Sequence, residues 1–179
     1  MTGDKKIVLI LGGARSGKSS YAQQVAADRG GRVLFCATAQ PLDEEMRERI
    51  RAHRQSRPPG WDTLEIKDGL AAALQNQAGG YDSVIIDCIT LLAANCMGEA
   101  IDYKAAEKAV DAEVDDLIDL MRRSGCTFIL VSNEVGNGIV PDNRLARVYR
   151  DTLGKANQRL AGAADEVILM TAGLSMKVK

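Results

Sequence analysis

The chain of 179 residues has one histidine, His53, and its four cysteines, Cys36, Cys88, Cys96 and Cys126, form no C-x-x-C pair. A zinc site of the Cys/His type lacks its ligands, and thiols lying in or beside apolar runs are expected to be reduced side chains of the core. Basic excess is missing too: 23 Lys and Arg stand against 24 Asp and Glu, for a formal net charge of -1. That balance argues against a nucleic-acid partner, because binding a phosphate backbone needs many cations on one face. No apolar run approaches the ~20 residues that cross a bilayer, and Met1 to Lys6 is short and polar. The expectation is a soluble, cytoplasmic protein with no membrane span. Repeats, low-complexity tracts and linkers are also absent, so residues 1-179 are read as one domain able to bury a core without staples.

What is present is an alternation of short apolar runs with longer helical patterns. Ile7 to Leu11, Val33 to Ala37, Thr63 to Ile66, Ser83 to Asp87, Thr127 to Ser132 and Glu166 to Thr171 read as strands. Strands alternating with helices imply an α/β fold, a mostly parallel sheet with crossover helices on both faces. Leu174 to Lys179 alternates in character directly after Gly173, the pattern of a hairpin return, which adds a seventh, antiparallel edge strand. Helices are expected at Lys18 to Asp28, Asp43 to Gln55, Tyr103 to Arg123 and Asn143 to Ala161. In the third, Val110, Val114, Leu117, Ile118 and Met121 form one apolar stripe. Asp111, Asp115, Asp116 and Asp119 form an acidic face, read as solvated and not metal-binding.

Directly after the first strand, Gly12, Gly13, Ala14, Arg15, Ser16, Gly17, Lys18 and Ser19 read G-G-A-R-S-G-K-S. A strand, G-x-x-x-x-G-K-[ST] and a helix in that order make a phosphate-binding loop. The glycines let backbone N–H groups turn toward phosphate oxygens, Lys18 supplies a positive charge, and Ser19 can ligate Mg2+. A nucleoside triphosphate is the expected ligand. The run Val84-Ile85-Ile86-Asp87 ends in a carboxylate where open parallel sheets bind ligands. Asp87 is thus a candidate magnesium ligand, direct or through water, although a buried strand can also end in Asp merely before a turn.

His53 lies on D-E-E-M-R-E-R-I-R-A-H-R-Q, where Met46, Ile50 and His53 fall at i, i+4 and i+7. One reading is a packed histidine with one satisfied hydrogen bond. The other is a neutral nitrogen nucleophile, since Arg51, Arg54 and Arg57 would disfavour the imidazolium and stabilise charge on a phosphoryl group. Asn133 to Pro141 likewise reads either as a Gly- and Pro-punctuated loop or as a segment for binding or subunit contact at a strand's carboxyl end.

Several segments together resemble one family, the bifunctional adenosylcobinamide kinase and adenosylcobinamide-phosphate guanylyltransferase of cobalamin biosynthesis. Besides the phosphate loop they are A-T-A at Ala37 to Ala39, D-E-E-M-R-E-R-I-R-A-H-R-Q-S-R-P at Asp43 to Pro58 and D-C-I-T at Asp87 to Thr90. N-E-V-G-N-G-I-V-P at Asn133 to Pro141, N-R-L-A-R at Asn143 to Arg147 and N-Q-R-L-A-G-A-A-D-E-V at Asn157 to Val167 extend the resemblance over nearly the whole chain. The resemblance implies a P-loop nucleotide-binding fold in which His53 takes GMP from GTP as a covalent intermediate. It implies that Gly12 to Ser19 grip the triphosphate, with Lys18 catalytic. By the same resemblance Ala37, Thr38 and Ala39 lie beside the nucleotide, Arg54, Gln55, Ser56, Arg57 and Glu65 contact it, and Asp87 completes the site. ATP or GTP would serve the kinase step with Mg2+, a corrinoid would be the acceptor, and the assembly would be a homotrimer. Members can carry Glu where this chain has Asp87, and the short stretch from Gly98 to Tyr103 is a connection where a substrate or subunit contact could be trimmed. Two rival readings fit the same residues: a small-molecule kinase of the same fold without nucleotidyl transfer, and a regulatory nucleotide-binding module. The second is disfavoured because Asn133-Glu134-Val135-Gly136 does not resemble a guanine-reading N-K-x-D motif.

Overall fold

Strand β1 (Ile7–Gly12) is apolar at consecutive positions because both of its faces are covered: Leu9 packs into one hydrophobic cluster and Ile10 into another, each fully buried. Such a run belongs to the middle of a parallel sheet. The computed structural model of the protein describes residues 5–98 and 102–179. After β1 come α1 (Lys18–Arg29), β2 (Val33–Ala37), α2 (Glu44–Gln55), β3 (Asp62–Glu65), α3 (Leu70–Leu74), a 3-10 turn (Ala78–Gly80) and β4 (Ser83–Asp87). The second half holds α4 (Ile89–Met97), α5 (Tyr103–Arg123), β5 (Thr127–Asn133), α6 (Arg144–Ala163), β6 (Glu166–Thr171) and β7 (Leu174–Lys177).

The sheet runs β3-β2-β4-β5-β1-β6-β7. Its pairings are parallel except β6 with β7, which is antiparallel. The seven expected strands and the antiparallel edge are therefore present. Register brings the carboxyl ends together: Ala37 pairs with both Glu65 and Asp87, Asp87 with Val131, and Gly12 with Asn133. This edge is where an open parallel sheet holds its ligand.

The two faces are covered unequally. Helices α3 to α6 bury the larger cluster, with Leu70, Leu92, Leu117 and Leu153 against Leu9, Leu34, Ile86 and Leu130. The other face is closed by α1, whose Ala22 and Ala26 are small enough to let the helix lie close on Ile10, Phe35, Ile85 and Ile129.

Asp43 and Asn143 are N-caps and not helical residues: Asp43 accepts from Met46 N, and Asn143 accepts from Leu145 N and Ala146 N. Capping side chains of this kind satisfy the first free N–H groups of a helix. β3 spans Asp62–Glu65 and stops before Ile66. Past Lys177, β7 gives way to Val178 and Lys179, whose N–H groups both turn to Val167 O. Helices α3 and α4 are additions. Asp111 and Asp115 are not simply solvated, because Arg159 of α6 donates to both, at 3.0 Å to Asp111 Oδ1. Cys36 and Cys126 are buried and Cys88 and Cys96 half-buried, all as free thiols; burial pushes Cys36 up to about 12. The connection from Gly98 to Tyr103 includes residues 99–101, which lie outside the described residues.

Candidate active site

The turn out of β1 requires glycine at its two ends. A Cβ on Gly12 would collide with the Met170 carbonyl oxygen and lie 2.7 Å from Ser16 Oγ. Gly17 sits at φ 94 and caps α1 with no side chain, leaving the helix's first N–H groups facing outward. A helix N-terminus left open in this way is an anion site. Gly173 N, in the β6–β7 turn, donates to Ser16 O at 3.1 Å and braces the loop from behind. Lys18 is buried, and its Nζ donates to Gly13 O at 2.6 Å. Burial pulls this ammonium below its ordinary value, while Cys88 and Asp87 beside it oppose the shift.

The loop forms one wall of a cavity of about 450 Å3. Ala14, Arg15, Ser16, Gly17, Lys18 and Ser19 line it. Ala37 and Ala39 from the end of β2, Asp87 from β4, Glu65 from β3 and Arg57 line it as well. Across from the loop stands α2, which contributes Met46, Arg49, Ile50 and His53. The apolar stripe of α2 thus faces a cavity and not a core: none of its residues is buried, and Met46, Ile50 and His53 are its half-buried ones. Among the described residues nothing hydrogen-bonds the His53 ring; beyond the helix's own bonds, its backbone carbonyl accepts from Ser56 Oγ. The reading of His53 as a packed, hydrogen-bonded histidine is overturned by this placement.

Charge in the cavity is arranged around Asp87 and Arg57. Asp87 Oδ2 is buried with no hydrogen-bond partner among the described residues. Arg57 lies over the Phe35 ring at 3.9 Å and donates to Thr63 Oγ1 at 3.2 Å. Stacking on an aromatic face holds a guanidinium without neutralising it. Burial lowers Arg57 from its ordinary value; Asp87 and Glu65 oppose this and Arg54 adds to it. Arg54 reaches Glu65 Oε1 through Nε at 2.9 Å and lines an adjoining groove with Trp61, Pro58 and Pro59.

Other residues singled out from the sequence lie outside this lining. Thr38 is fully buried behind the wall, where its hydroxyl donates to Cys88 O and accepts from Cys88 N, each at 2.8 Å, joining the ends of β2 and β4. Gln55 and Ser56 lie at the end of α2 and do not line the cavity. Gly12 and Gly13 shape the loop, and Gly13 enters through the carbonyl that Lys18 holds. Conversely, Phe35, Arg49, Cys88, Thr90 and Leu91 line the cavity without having been marked as site residues. Cys88 and Thr90 lie within the D-C-I-T segment and Arg49 within the segment that bears His53, while Phe35 and Leu91 carry no local signal and are turned inward by strand and helix register alone.

A phosphate loop between a central parallel strand and an open helix N-terminus, sharing a cavity with a carboxylate at the end of β4, defines a P-loop nucleotide-binding protein equipped for phosphoryl chemistry. A family model described as cobinamide kinase / cobinamide phosphate guanyltransferase matches residues 8–178. The chain belongs to that family. The bifunctional adenosylcobalamin biosynthesis protein CobU of Salmonella typhimurium is 42% identical over 181 aligned positions, covering 97% of this chain and 99% of its own. The Escherichia coli protein of the same name is 41% identical with the same coverage. The bifunctional adenosylcobalamin biosynthesis protein CobP of Pseudomonas aeruginosa is 40% identical over 171 positions, 96% of either chain. The family name carries two activities, a kinase and a guanylyltransferase, as the motif resemblance implied.

Proposed function

We propose that this protein phosphorylates adenosylcobinamide with a nucleoside triphosphate and then transfers GMP from GTP to adenosylcobinamide phosphate through a guanylyl group carried on His53, giving adenosylcobinamide-GDP. The observation that carries this reading is that one cavity is lined both by the phosphate loop and by a histidine whose ring has no hydrogen-bond partner among the described residues. In the kinase step the loop N–H groups and Lys18 hold the phosphates while the aminopropanol hydroxyl of the corrinoid attacks the γ-phosphorus. In the transfer step the neutral His53 nitrogen attacks the α-phosphorus of GTP and pyrophosphate leaves. A phosphate oxygen of the corrinoid then displaces His53 from the guanylyl group, so that one difficult displacement becomes two easier ones. Arg57, held on Phe35, offers charge to the phosphates from the α2 side. Arg54, Glu65, Ala37, Thr38, Ala39, Gln55 and Ser56 are assigned to shaping the nucleotide site, by contact or from behind its wall.

Mg2+ fits the residues present. Ser19 and Asp87 line the same cavity, and the buried, unpartnered Asp87 Oδ2 is an oxygen that a hard cation or its water would satisfy. When bound, Mg2+ withdraws charge from the phosphate oxygens. No described helix is long and apolar enough to cross a membrane; a cytoplasmic location is proposed separately, and a homotrimer is the assembly proposed, checked by sedimentation.

The test is incubation with GTP labelled at the α-phosphorus, followed by denaturation. An acid-labile, alkali-stable label is expected on the protein and is expected to vanish in His53→Ala. Label that survives this substitution would sink the assignment of His53. Corrinoid phosphorylation with no label at all would leave a kinase alone.

A further inference from the structure

The phosphate loop and Asp87 sit at the ends of β1 and β4, and these strands are not neighbours. β5 runs between them and pairs with both. Asp87 registers with Val131 while Gly12 registers with Asn133, so β5 extends two residues beyond the end of β4 and finishes in Asn133, level with the start of the loop. Asn133 lines the cavity together with Lys18, Asp87 and Thr90.

Its backbone is fixed from both sides. The Asn133 N–H donates to Thr90 Oγ1 at 2.7 Å, and its carbonyl accepts from Asn157 Nδ2 at 3.0 Å. Thr90 is anchored in turn, its carbonyl accepting from Tyr149 Oη at 3.0 Å. Asn157 lies in α6, 6% exposed, with its Oδ1 buried and unpartnered among the described residues. Burying a carboxamide to satisfy one carbonyl is unfavourable for packing alone; its effect is to fix the tip of β5. The side chain of Asn133, by contrast, has no hydrogen-bond partner among the described residues. A rigid backbone therefore presents an uncommitted amide to the cavity, between the loop and the carboxylate.

We propose that Asn133 is a catalytic residue of the phosphoryl-transfer step, donating Nδ2–H to a non-bridging oxygen of the γ-phosphoryl group as it moves. This rests on the kinase reading given above and adds a residue to it. In that step the acceptor hydroxyl oxygen bonds to the γ-phosphorus and its proton passes to solvent water. The bond from γ-phosphorus to the bridging oxygen breaks, and its electron pair leaves on the nucleoside diphosphate. Charge spreads over the non-bridging oxygens, and a donor carried on a backbone already held in place stabilises it with little reorganisation. Asn133 serves this step and not the attack by His53, because His53 arrives on α2, which follows β2 on the far side of β4 from β5.

The test compares Asn133→Ala and Asn133→Asp in the whole protein. Corrinoid phosphorylation and transfer of α-label from GTP to the protein are measured side by side. For Asn133→Ala the kcat of phosphorylation is expected to fall about 10²-fold, with the nucleotide KM within about threefold and α-labelling reduced less than about fivefold. Asn133→Asp keeps the shape but points a negative charge at the phosphates, and it is expected to fall at least as far. A phosphorylation kcat within about twofold of the parent overturns the proposal, and so does a parallel loss of both activities, which would mark Asn133 as structural. Parent protein that phosphorylates no corrinoid defeats the kinase reading itself, and this proposal with it.

Discussion

Helix α5 presses Ala106, Val110, Val114, Leu117, Ile118, Leu120 and Met121 into the core, whereas α2, with a stripe at comparable spacing, buries nothing. Met46, Ile50 and His53 face the cavity across from the phosphate loop. An amphipathic pattern reports that one face is turned away from bulk water and says nothing about what occupies the space. Under α5 that space is filled by side chains of α3, α4, α6 and the sheet; under α2 it is left for a ligand. The consequences for stability differ. Burying a large aliphatic side chain contributes ~1.5–3 kcal/mol, and α5 has several. Helix α2 rests on local devices: the Asp43 cap at 2.7 Å from Met46 N, Glu44 and Glu45 in the first turn, and the Arg47–Glu44 pair at 3.0 Å. Such devices are worth fractions of a kcal/mol to about 1 kcal/mol each, so a 12-residue helix held by them is marginal in water.

The strongest test of this contrast is native-state hydrogen exchange. Central amides of α5, near Leu117, are expected to exchange only through global unfolding. Those of α2, near Ile50, should open locally and exchange at least ~10³-fold faster. Adding GTP should slow the α2 amides, whose open form cannot hold the nucleotide, and should also slow those of α5, because a ligand that binds only the folded protein raises the free energy of global unfolding. Equal protection of the two helices in the free protein would erase the distinction.

A smaller effect separates the two stripes by substitution. Leu117→Ala removes a fully buried side chain and is expected to cost about 2–5 kcal/mol in urea unfolding. Ile50→Ala should cost less than about 1 kcal/mol, because the side chain is only half-buried and leaves no closed void. Its effect should instead be read in a raised KM for GTP in the labelling reaction. A stability loss at Ile50 as large as that at Leu117 would mean that α2 is packed like α5.

The same contrast governs what could be read from the residues alone. The sheet was legible because β1, β2, β4 and β5 are buried on both faces, and a continuous apolar run of five or so residues between turns suits a central strand better than an amphipathic helix. The phosphate loop was legible because its chemistry is consecutive in sequence. Helix α4, I-T-L-L-A-A-N-C-M, was not: with Ile89, Thr90, Leu92, Ala93 and Met97 all buried it shows no clear polar face, and α3 is too short for periodicity to register. For His53 the spacing alone left two readings open, and the family resemblance supplied the nucleophile's role. The Arg57–Phe35 stack and the Asn157–Asn133 bond had no sequence signal, since each depends on how separate elements register. Thr38 shows the converse: adjacency to the nucleotide was implied for the whole A-T-A segment, yet alternation along the chain turns Ala37 and Ala39 to the cavity and Thr38 to the backbone of Cys88.

The finest distinction lies at the two helix starts, which use the same residue type. Asp43 accepts from Met46 N, while Asp102 accepts from Lys104 N at 3.0 Å and Ala105 N at 3.2 Å. Replacing either by Ala removes a cap worth about 1 kcal/mol to its own helix. Because α5 is part of the cooperative core, Asp102→Ala should lower global stability by close to that full amount. The loss in Asp43→Ala falls on a helix that can open while the rest stays folded, so the urea midpoint should move by less than half as much. The deficit should reappear as faster α2 exchange and slower α-labelling of His53, since fewer molecules hold the histidine opposite the loop. If Asp43→Ala lowers global stability as far as Asp102→Ala does and leaves labelling untouched, α2 unfolds with the core and its open face toward the cavity has no energetic consequence.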